Sequence, residues 1–129
     1  MGKIERFEDL KSWQMARQLA NMVYDLTNHS VFEKDFQLRN QIRDAAGSVM
    51  HNVAEGFDAG SNPEFLRFLK IARRSASEVQ SELYLALDRN YINRDELDKT
   101  YSKATEVKRL VNGMIAYLRK YKANHSNNK

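Results

Sequence analysis

The sequence predicts an all-α protein, an antiparallel up-down-up-down bundle of four amphipathic helices. Apolar residues recur at helical spacing along almost the whole chain, and no segment keeps the alternation of a β-strand. The 129 residues include one proline and five glycines, too few for the many turns of a β-sandwich or barrel. The length fits a single domain over residues 1–129 with an ordinary hydrophobic core.

The first two predicted helices cover about residues 7–28 and 35–56. The first has an apolar arc of about 200°, wider than one core contact requires, so part of it is expected to meet a second surface. The stretch from His29 to Asp35 is predicted to be a connecting loop. Asp35 is a candidate N-cap for the second helix, and Gly56 is predicted to end it in the left-handed conformation.

The third and fourth predicted helices cover residues 62–90 and 94–121. Two starts are open for the third: Ser61 caps it with Glu64 completing a capping box, or Asn62 caps it with Pro63 at the first helical position. Asn93 and Glu96 form the same kind of box before the fourth. Residues 122–129 lack periodicity and are predicted to be a disordered basic tail. The seam of the third helix has the 4-3 spacing of a left-handed bundle and comprises Phe65, Leu69, Ala72, Ala76, Val79, Leu83 and Ala86.

Composition and spacing argue against most catalytic chemistry. The chain has no cysteine, which excludes disulfides, thiolate zinc sites, iron–sulfur clusters and a cysteine nucleophile. None of the glutamates has a histidine three residues later, as a ferritin-like di-metal centre requires. A polar stripe on the second helix favours a solvated or interfacial face over catalysis or metal binding by His51 and Glu55, because side chains along one helix do not converge. We expect no enzyme activity, cofactor or metal. The stripe comprises Asp44, Ser48, His51 and Glu55.

The chain is also expected to be a cytoplasmic protein that does not enter membranes. No apolar run approaches membrane-spanning length, and the beginning of the sequence is too charged for a signal peptide.

The formal net charge of +4 is unevenly distributed. Residues 1–60 hold seven Lys/Arg against nine Asp/Glu, whereas residues 61–129 hold fourteen against eight. Basic side chains spread over a surface are what phosphate contacts require, and Tyr117 and Tyr121 are candidates for stacking on unpaired bases. Arg39 and Arg43 are weaker candidates, since they border the apolar stripe of the second helix. The main nucleic-acid-binding candidates are Arg67, Lys70, Arg73, Arg74, Lys108, Arg109, Arg119 and Lys120.

Simpler roles compete for the same residues. Arg67 and Arg74 are spaced to form ion pairs with Glu64 and Glu78, and basic residues near residue 120 compensate the negative end of a helix. These roles suffice for a single copy, whereas repetition around an oligomer axis favours polyanion binding. Surplus apolar residues on the third helix are candidates for an oligomer interface: Leu66, Ile71, Tyr84 and Leu85.

Several phrases together resemble one family. They are FEDLKSWQ (7–14), LRNQIRDAA (38–46), NVAEG (52–56) and PEFLRFLKIARRS (63–75), followed by Glu78, Leu83 and the turn at Tyr91 and Ile92. In order and spacing they are similar to four-helix-bundle proteins encoded within intervening sequences of bacterial 23S ribosomal RNA genes. The resemblance covers about residues 7–120.

The resemblance implies a bacterial protein that forms a ring-shaped homopentamer and has no established enzymatic activity. It also implies similarity to accessory subunits of diversity-generating retroelements, basic barrels that bind nucleic acid and a reverse transcriptase. Asn52, Glu55 and Gly56 match a family motif of structural role. Where family members carry Ser-Ile-Pro, this chain has Ser48-Val49-Met50, so its second helix is predicted to run straight.

Two functions therefore remain open. The first is a non-enzymatic, oligomeric protein that binds RNA or DNA through its basic surface. The second is a protein–protein scaffold or accessory subunit, for example of a reverse transcriptase, whose basic surface is incidental.

Overall fold

The protein is all-α, as predicted. The structure, a computed structural model, describes residues 3–127, with the side chains of Ser30 and of residues 122–127 outside the description. No strand occurs in that range. A 3-10 turn at Phe7–Asp9 precedes α1 (Lys11–Thr27), α2 (Ser30–Lys34), α3 (Phe36–Asp58), α4 (Asn62–Asp88) and α5 (Arg94–Asn127). A ring-shaped assembly is a property of several copies and stays a prediction.

The four long helices pack antiparallel around one core. Helix α1 packs on α3 and α5, and α4 packs on the same two helices. Between α4 and α5, Arg73 Nη1 donates to Asn112 Oδ1 at 3.0 Å, and Gln80 Nε2 donates to Thr105 Oγ1 at 2.9 Å. The residue number rises on one helix as it falls on the other, which fixes their opposite directions. Between α3 and α4, the Ser48 and Ser75 hydroxyl oxygens lie 2.9 Å apart.

The predicted seam of α4 forms its share of the core. Phe65 is half-buried and lies at the end of the seam, whereas the other six residues are fully buried. Two of these are the small residues Ala72 and Ala76, which let the neighbouring helices approach α4 closely. The helix is therefore held by apolar burial along its whole inner face.

The caps read from the sequence are present. Asp35 Oδ1 accepts from the Leu38 backbone N–H at 3.1 Å. Of the two open starts for α4, the structure has Ser61 as the cap, since its hydroxyl accepts from the Glu64 backbone N–H at 3.3 Å. Asn93 and Glu96 bond reciprocally at 2.8 and 2.9 Å, a complete capping box.

The prediction of a loop from His29 to Asp35 was wrong in its middle part. Residues Ser30–Lys34 form the short helix α2, and its Phe32 is fully buried with its ring 5.1 Å from that of Tyr91. The Tyr91 hydroxyl also donates to Asp35 Oδ2 at 2.9 Å. Burial of one aromatic side chain therefore organises the connection between α1 and α3.

Gly56 does not end a helix, contrary to the prediction. Helix α3 continues to Asp58, and the left-handed residue is Gly60, at φ +85°. A Cβ on Gly56 would lie 2.8 Å from Phe68 Cβ and 2.9 Å from Phe65 Cδ1. Glycine is favoured here because α4 passes so close that an added Cβ would force the neighbouring atoms to shift.

The last helix is longer than predicted. The sequence places its end near residue 121, whereas the backbone of α5 is helical to Asn127. The predicted disordered tail, residues 122–129, lies outside the part of the chain whose side chains are described. Among the described residues, no helix is both long enough and apolar enough to span a membrane.

Candidate nucleic-acid interface

The predicted phosphate-binding residues lie on one surface shared by α4 and α5. Arg73 bonds Asn112, and Lys108 Nζ donates to Gln80 Oε1 at 3.0 Å, so both cations sit where the two helices meet. Arg119 lies about three helical turns after Lys108, and Lys120 lies about three turns after Arg109. Each pair is therefore on one side of α5. We call this surface the α4–α5 basic face; it comprises Arg67, Lys70, Arg73, Arg74, Lys108, Arg109, Arg119 and Lys120.

The local sequence keeps acidic side chains away from this face. Residues 65–77 of α4 and 107–121 of α5 contain no aspartate or glutamate. The opposite holds where α4 meets α3: no lysine or arginine occurs in residues 44–66 or in residues 75–88. Helix α4 therefore carries its lysine and arginine residues over 67–74 and only acidic charged residues over 75–88.

Most cations of the basic face are not neutralised. Arg67 pairs with Glu64 at 3.1 Å, as predicted. The expected pair between Arg74 and Glu78 is absent from the described part of the chain, although both residues line one groove. Within residues 3–121, no ion pair or hydrogen bond holds five of the side chains, which are exposed: Lys70, Arg74, Arg109, Arg119 and Lys120.

Other basic residues of α5 behave differently. At its beginning, Arg94 pairs with Asp98 and Lys99 pairs with Asp95, each at 3.2 Å and one helical turn away. Compensation of the helix end does not explain the cations near residue 120 either. Helix α5 continues to Asn127, so Arg119 lies about two turns before its end, and the effect of a helix dipole fades within the last turn.

Arg39 and Arg43 lie away from the basic face. Arg43 Nε donates to Thr27 Oγ1 at 2.8 Å, and its guanidinium lies 4.6 Å from the Tyr24 ring. Arg39 Nη1 donates to the Glu33 backbone carbonyl at 3.1 Å. These contacts give both arginines a structural role at the junction of α1, α2 and α3.

The candidate interface residues fall in two places on α4. Leu66 and Ile71 are half-buried and line an outer groove of about 480 Å³ together with Arg67, Lys70 and Arg74. Tyr84 and Leu85 are nearly half exposed further along the helix, and the Tyr84 ring packs edge-on against Tyr101 at 5.8 Å. Apolar residues thus accompany the basic residues at one end of α4 only.

Of the three motif residues Asn52, Glu55 and Gly56, the first and the last have structural contacts. Asn52 Nδ2 donates to the Ser48 carbonyl at 2.8 Å and to Ser48 Oγ at 2.9 Å, and Ser48 in turn contacts Ser75 of α4. Gly56 allows the close approach of the same helix. Glu55 is exposed. Within the described residues, no group of three or more histidines and acidic side chains is placed to hold a metal ion. His51 and Glu55 therefore have no third ligand of these types among the described residues.

Sequence reasoning missed Glu82, which lies half-buried in the later part of α4, where all charged residues are acidic. Its Oε2 atom is buried and has no hydrogen-bond partner among the described residues. Burial, together with the neighbouring charges of Glu78 and Asp44, raises the pKa of Glu82 to about 7. The absence of lysine and arginine from residues 75–88 was the available signal, but the effect of Asp44 on Glu82 depends on how α3 packs on α4.

Glu82 should make stability depend on pH. Because its folded pKa of about 7 lies above its ordinary value of 4.5, the protonated form stabilises the fold below about pH 4.5, and this contribution is lost as the pH rises through 7. We expect Glu82→Gln to resist urea better than wild type at about pH 8, with the difference shrinking towards about pH 5. Urea denaturation of both proteins across this range measures it. A difference that stays constant with pH would contradict the assignment, and Ser81→Gln, at the exposed neighbouring position, is the control.

Comparison with known proteins places the chain in a family. The profile described as 23S rRNA-intervening sequence protein matches residues 8–113. The chain belongs to this family. The resemblance seen in the sequence is thereby confirmed. In this 23S rRNA-intervening sequence protein, α3 passes unbroken through Ser48-Val49-Met50, as the missing proline predicts.

One solved structure supports the same assignment. A protein of unknown function from the S23 ribosomal protein family of Bacteroides thetaiotaomicron is similar to this 23S rRNA-intervening sequence protein with a TM-score of 0.69 and 28% sequence identity. The similarity covers 81% of this chain and 94% of the other. No curated protein is similar enough to be matched.

Proposed function

We propose that this chain is a non-enzymatic protein of the bacterial cytoplasm that binds RNA or DNA through the phosphates, using the α4–α5 basic face. The observation that carries the proposal is the group of exposed cations there without acidic partners in the described residues. A cation that is already paired must give up its partner to bind phosphate. Unpaired cations release only counterions from the nucleic acid, which favours binding.

The dimensions of the face suit several phosphates at once. At 1.5 Å per residue, the basic residues span about 10 Å along α4 and about 18 Å along α5, with the two helix axes roughly 8–10 Å apart. Successive phosphates of one strand are a few ångström apart, so one copy can contact several of them. Tyr117 is exposed beside these cations and offers a ring for an unpaired base.

We also propose that the chain assembles into a ring-shaped homopentamer, as the family resemblance implies. Repetition around a ring would multiply the basic face and bring the exposed Tyr84 and Leu85 into contact with neighbouring copies. Light scattering at micromolar concentration tests this part on its own. A strictly monomeric mass would contradict it without touching the binding proposal.

The binding proposal predicts a strong effect of three substitutions. Replacing Arg67, Lys70 and Arg74 together by alanine should weaken binding to a labelled single-stranded RNA or DNA by about tenfold or more at low salt. The salt slope of log affinity should flatten by about two. Fluorescence anisotropy between about 50 and 200 mM salt measures both quantities.

A matched triple variant separates a local site from net charge. Replacing Arg89, Arg94 and Lys99 by alanine removes the same charge, but two of these cations are already paired with aspartates. We expect this variant to bind almost as wild type does. Equal losses in both triple variants, or binding that does not weaken with salt, would contradict the proposal and favour the scaffold or accessory-subunit function.

A further inference from the structure

An apolar groove of about 440 Å³ lies at the end of the bundle where α3 leads into α4. Its walls come from four separate parts of the chain: the segment before α1, the end of α3, the start of α4 and the later half of α5. None of the described side chains that line it is charged. Those forming the floor and walls include Leu10, Phe57, Phe65, Leu110, Met114 and Leu118.

The groove opens to solvent and is not an internal cavity. Tyr117 on its edge is 67% exposed, and Ile4 on the opposite edge is 40% exposed. Exposed apolar side chains around a concave apolar surface are typical of a site that a partner covers.

Gly113 provides a second observation that points to a partner. It lies in the interior of α5, where glycine is less favourable than alanine. A Cβ at this position would meet none of the described atoms within 4 Å, so packing against the described residues does not require the glycine. Since Gly113 also lines the groove, its missing side chain leaves space for an approaching backbone.

Two basic residues lie on the stripe of α5 that carries Gly113, next to the groove. Arg109 and Lys120 lie four residues before and seven residues after Gly113, which places all three on one stripe of α5. Both cations are exposed and have no acidic partner among the described residues. A partner that fills the groove therefore meets positive charge along one edge.

We propose that this groove binds an amphipathic helix of a partner protein, apolar on one face and acidic along one edge. The part of α5 that lines it, from Leu110 to Leu118, is about 12 Å long, or about two helical turns. That length fits the apolar anchors of a docked helix at positions i, i+3 or i+4, and i+7. The acidic edge would face Arg109 and Lys120, which selects against partners with a basic edge. This inference concerns a protein partner; it shares Arg109 and Lys120 with the α4–α5 basic face but does not rest on the proposed nucleic-acid binding.

A designed peptide pair tests the groove with the full-length chain. The probe is a labelled helical peptide of about 18 residues with a leucine face and glutamates along one edge; the control peptide carries lysines at the same positions. We expect the acidic peptide to bind and the basic peptide to bind at least about tenfold more weakly. Gly113→Trp should weaken binding of the acidic peptide by about tenfold or more. The matched control is Gly47→Trp, at a glycine in the interior of α3.

A charge reversal tests the same groove without relying on a variant in which a tryptophan replaces Gly113. Arg109→Glu combined with Lys120→Glu should invert the preference, so that the lysine peptide binds more tightly than the glutamate peptide. Circular dichroism checks that each variant is folded. Failure of wild type to bind the acidic peptide, or no effect of either set of substitutions, would overturn the proposal.

Other occupants give distinct results. A second copy in the groove would appear as a change of oligomeric mass in Gly113→Trp. A small amphiphile would appear as saturable binding of dodecanoate that Gly113→Trp abolishes. Either result would overturn the assignment to a partner helix, whereas the salt-dependent nucleic-acid binding of the wild type would stand or fall separately.

Discussion

Phe32→Ala is expected to lower the free energy of unfolding by about 3–5 kcal/mol, the typical cost of truncating a fully buried aromatic side chain. Phe32 is completely buried although it lies on a helix of only five residues. Its loss would leave a cavity beneath α2 and remove the contact with the Tyr91 ring. Denaturation by urea, followed by circular dichroism, measures the change.

Phe36→Ala is the matched control for this prediction. The same side chain is deleted four residues later, but Phe36 is 64% exposed. Its main described contact is the Arg39 guanidinium, 4.8 Å from the ring, and an exposed contact of this kind contributes about 0.5–1 kcal/mol. Similar losses for the two variants would show that α2 is not docked through Phe32.

Gly56→Ala is expected to destabilise the protein by about 1–3 kcal/mol, although alanine is the better helix former. The added methyl would lie 2.8 Å from Phe68 Cβ, which is fixed to the backbone of α4 and cannot rotate away. Helix propensity returns at most about 1 kcal/mol, so the steric cost decides the sign. Chemical denaturation of the variant and wild type measures it.

The opposite sign is expected for Gly47→Ala on the same helix. There the nearest atoms to an added Cβ are 3.8 Å away, an ordinary contact, and they belong to the His51 ring. We expect a gain of about 0.5–1 kcal/mol from helix propensity alone. A stabilising effect at both positions would mean that α4 does not pass as close to Gly56 as the structure has it.

Local signals in the sequence predicted most of the secondary structure correctly. The caps at Asp35 and Asn93 could be predicted because a capping side chain bonds a backbone N–H only three residues away, whereas Ser61 was one of two open caps for α4. Apolar periodicity identified the long helices for the same local reason. Helix α2 was missed because five residues are too short to show a period, and only the pocket around Phe32 stabilises the segment.

Gly56 shows the limit of local reasoning. A glycine that ends a helix and a glycine that admits a neighbouring helix have identical side chains, and only the path of α4 distinguishes them. At the candidate site, too, the charges could be read locally but their surroundings could not. The basic residues could be counted in the sequence, whereas the burial of Glu82 and the walls of the groove depend on segments far apart in the chain.

The order of charges along α4 has a consequence for how the molecule meets a polyanion. The net charge is only +4, so long-range attraction is weak and the local charge decides where a phosphate backbone can lie. Lys70 and Arg74 in the first half of α4 are followed by Glu78 and Glu82 in the second half, and Arg74 and Glu78 line one groove. In the proposed binding mode, a strand would therefore be attracted by the first half of the helix and repelled by the second, which sets where along α4 the strand can cross.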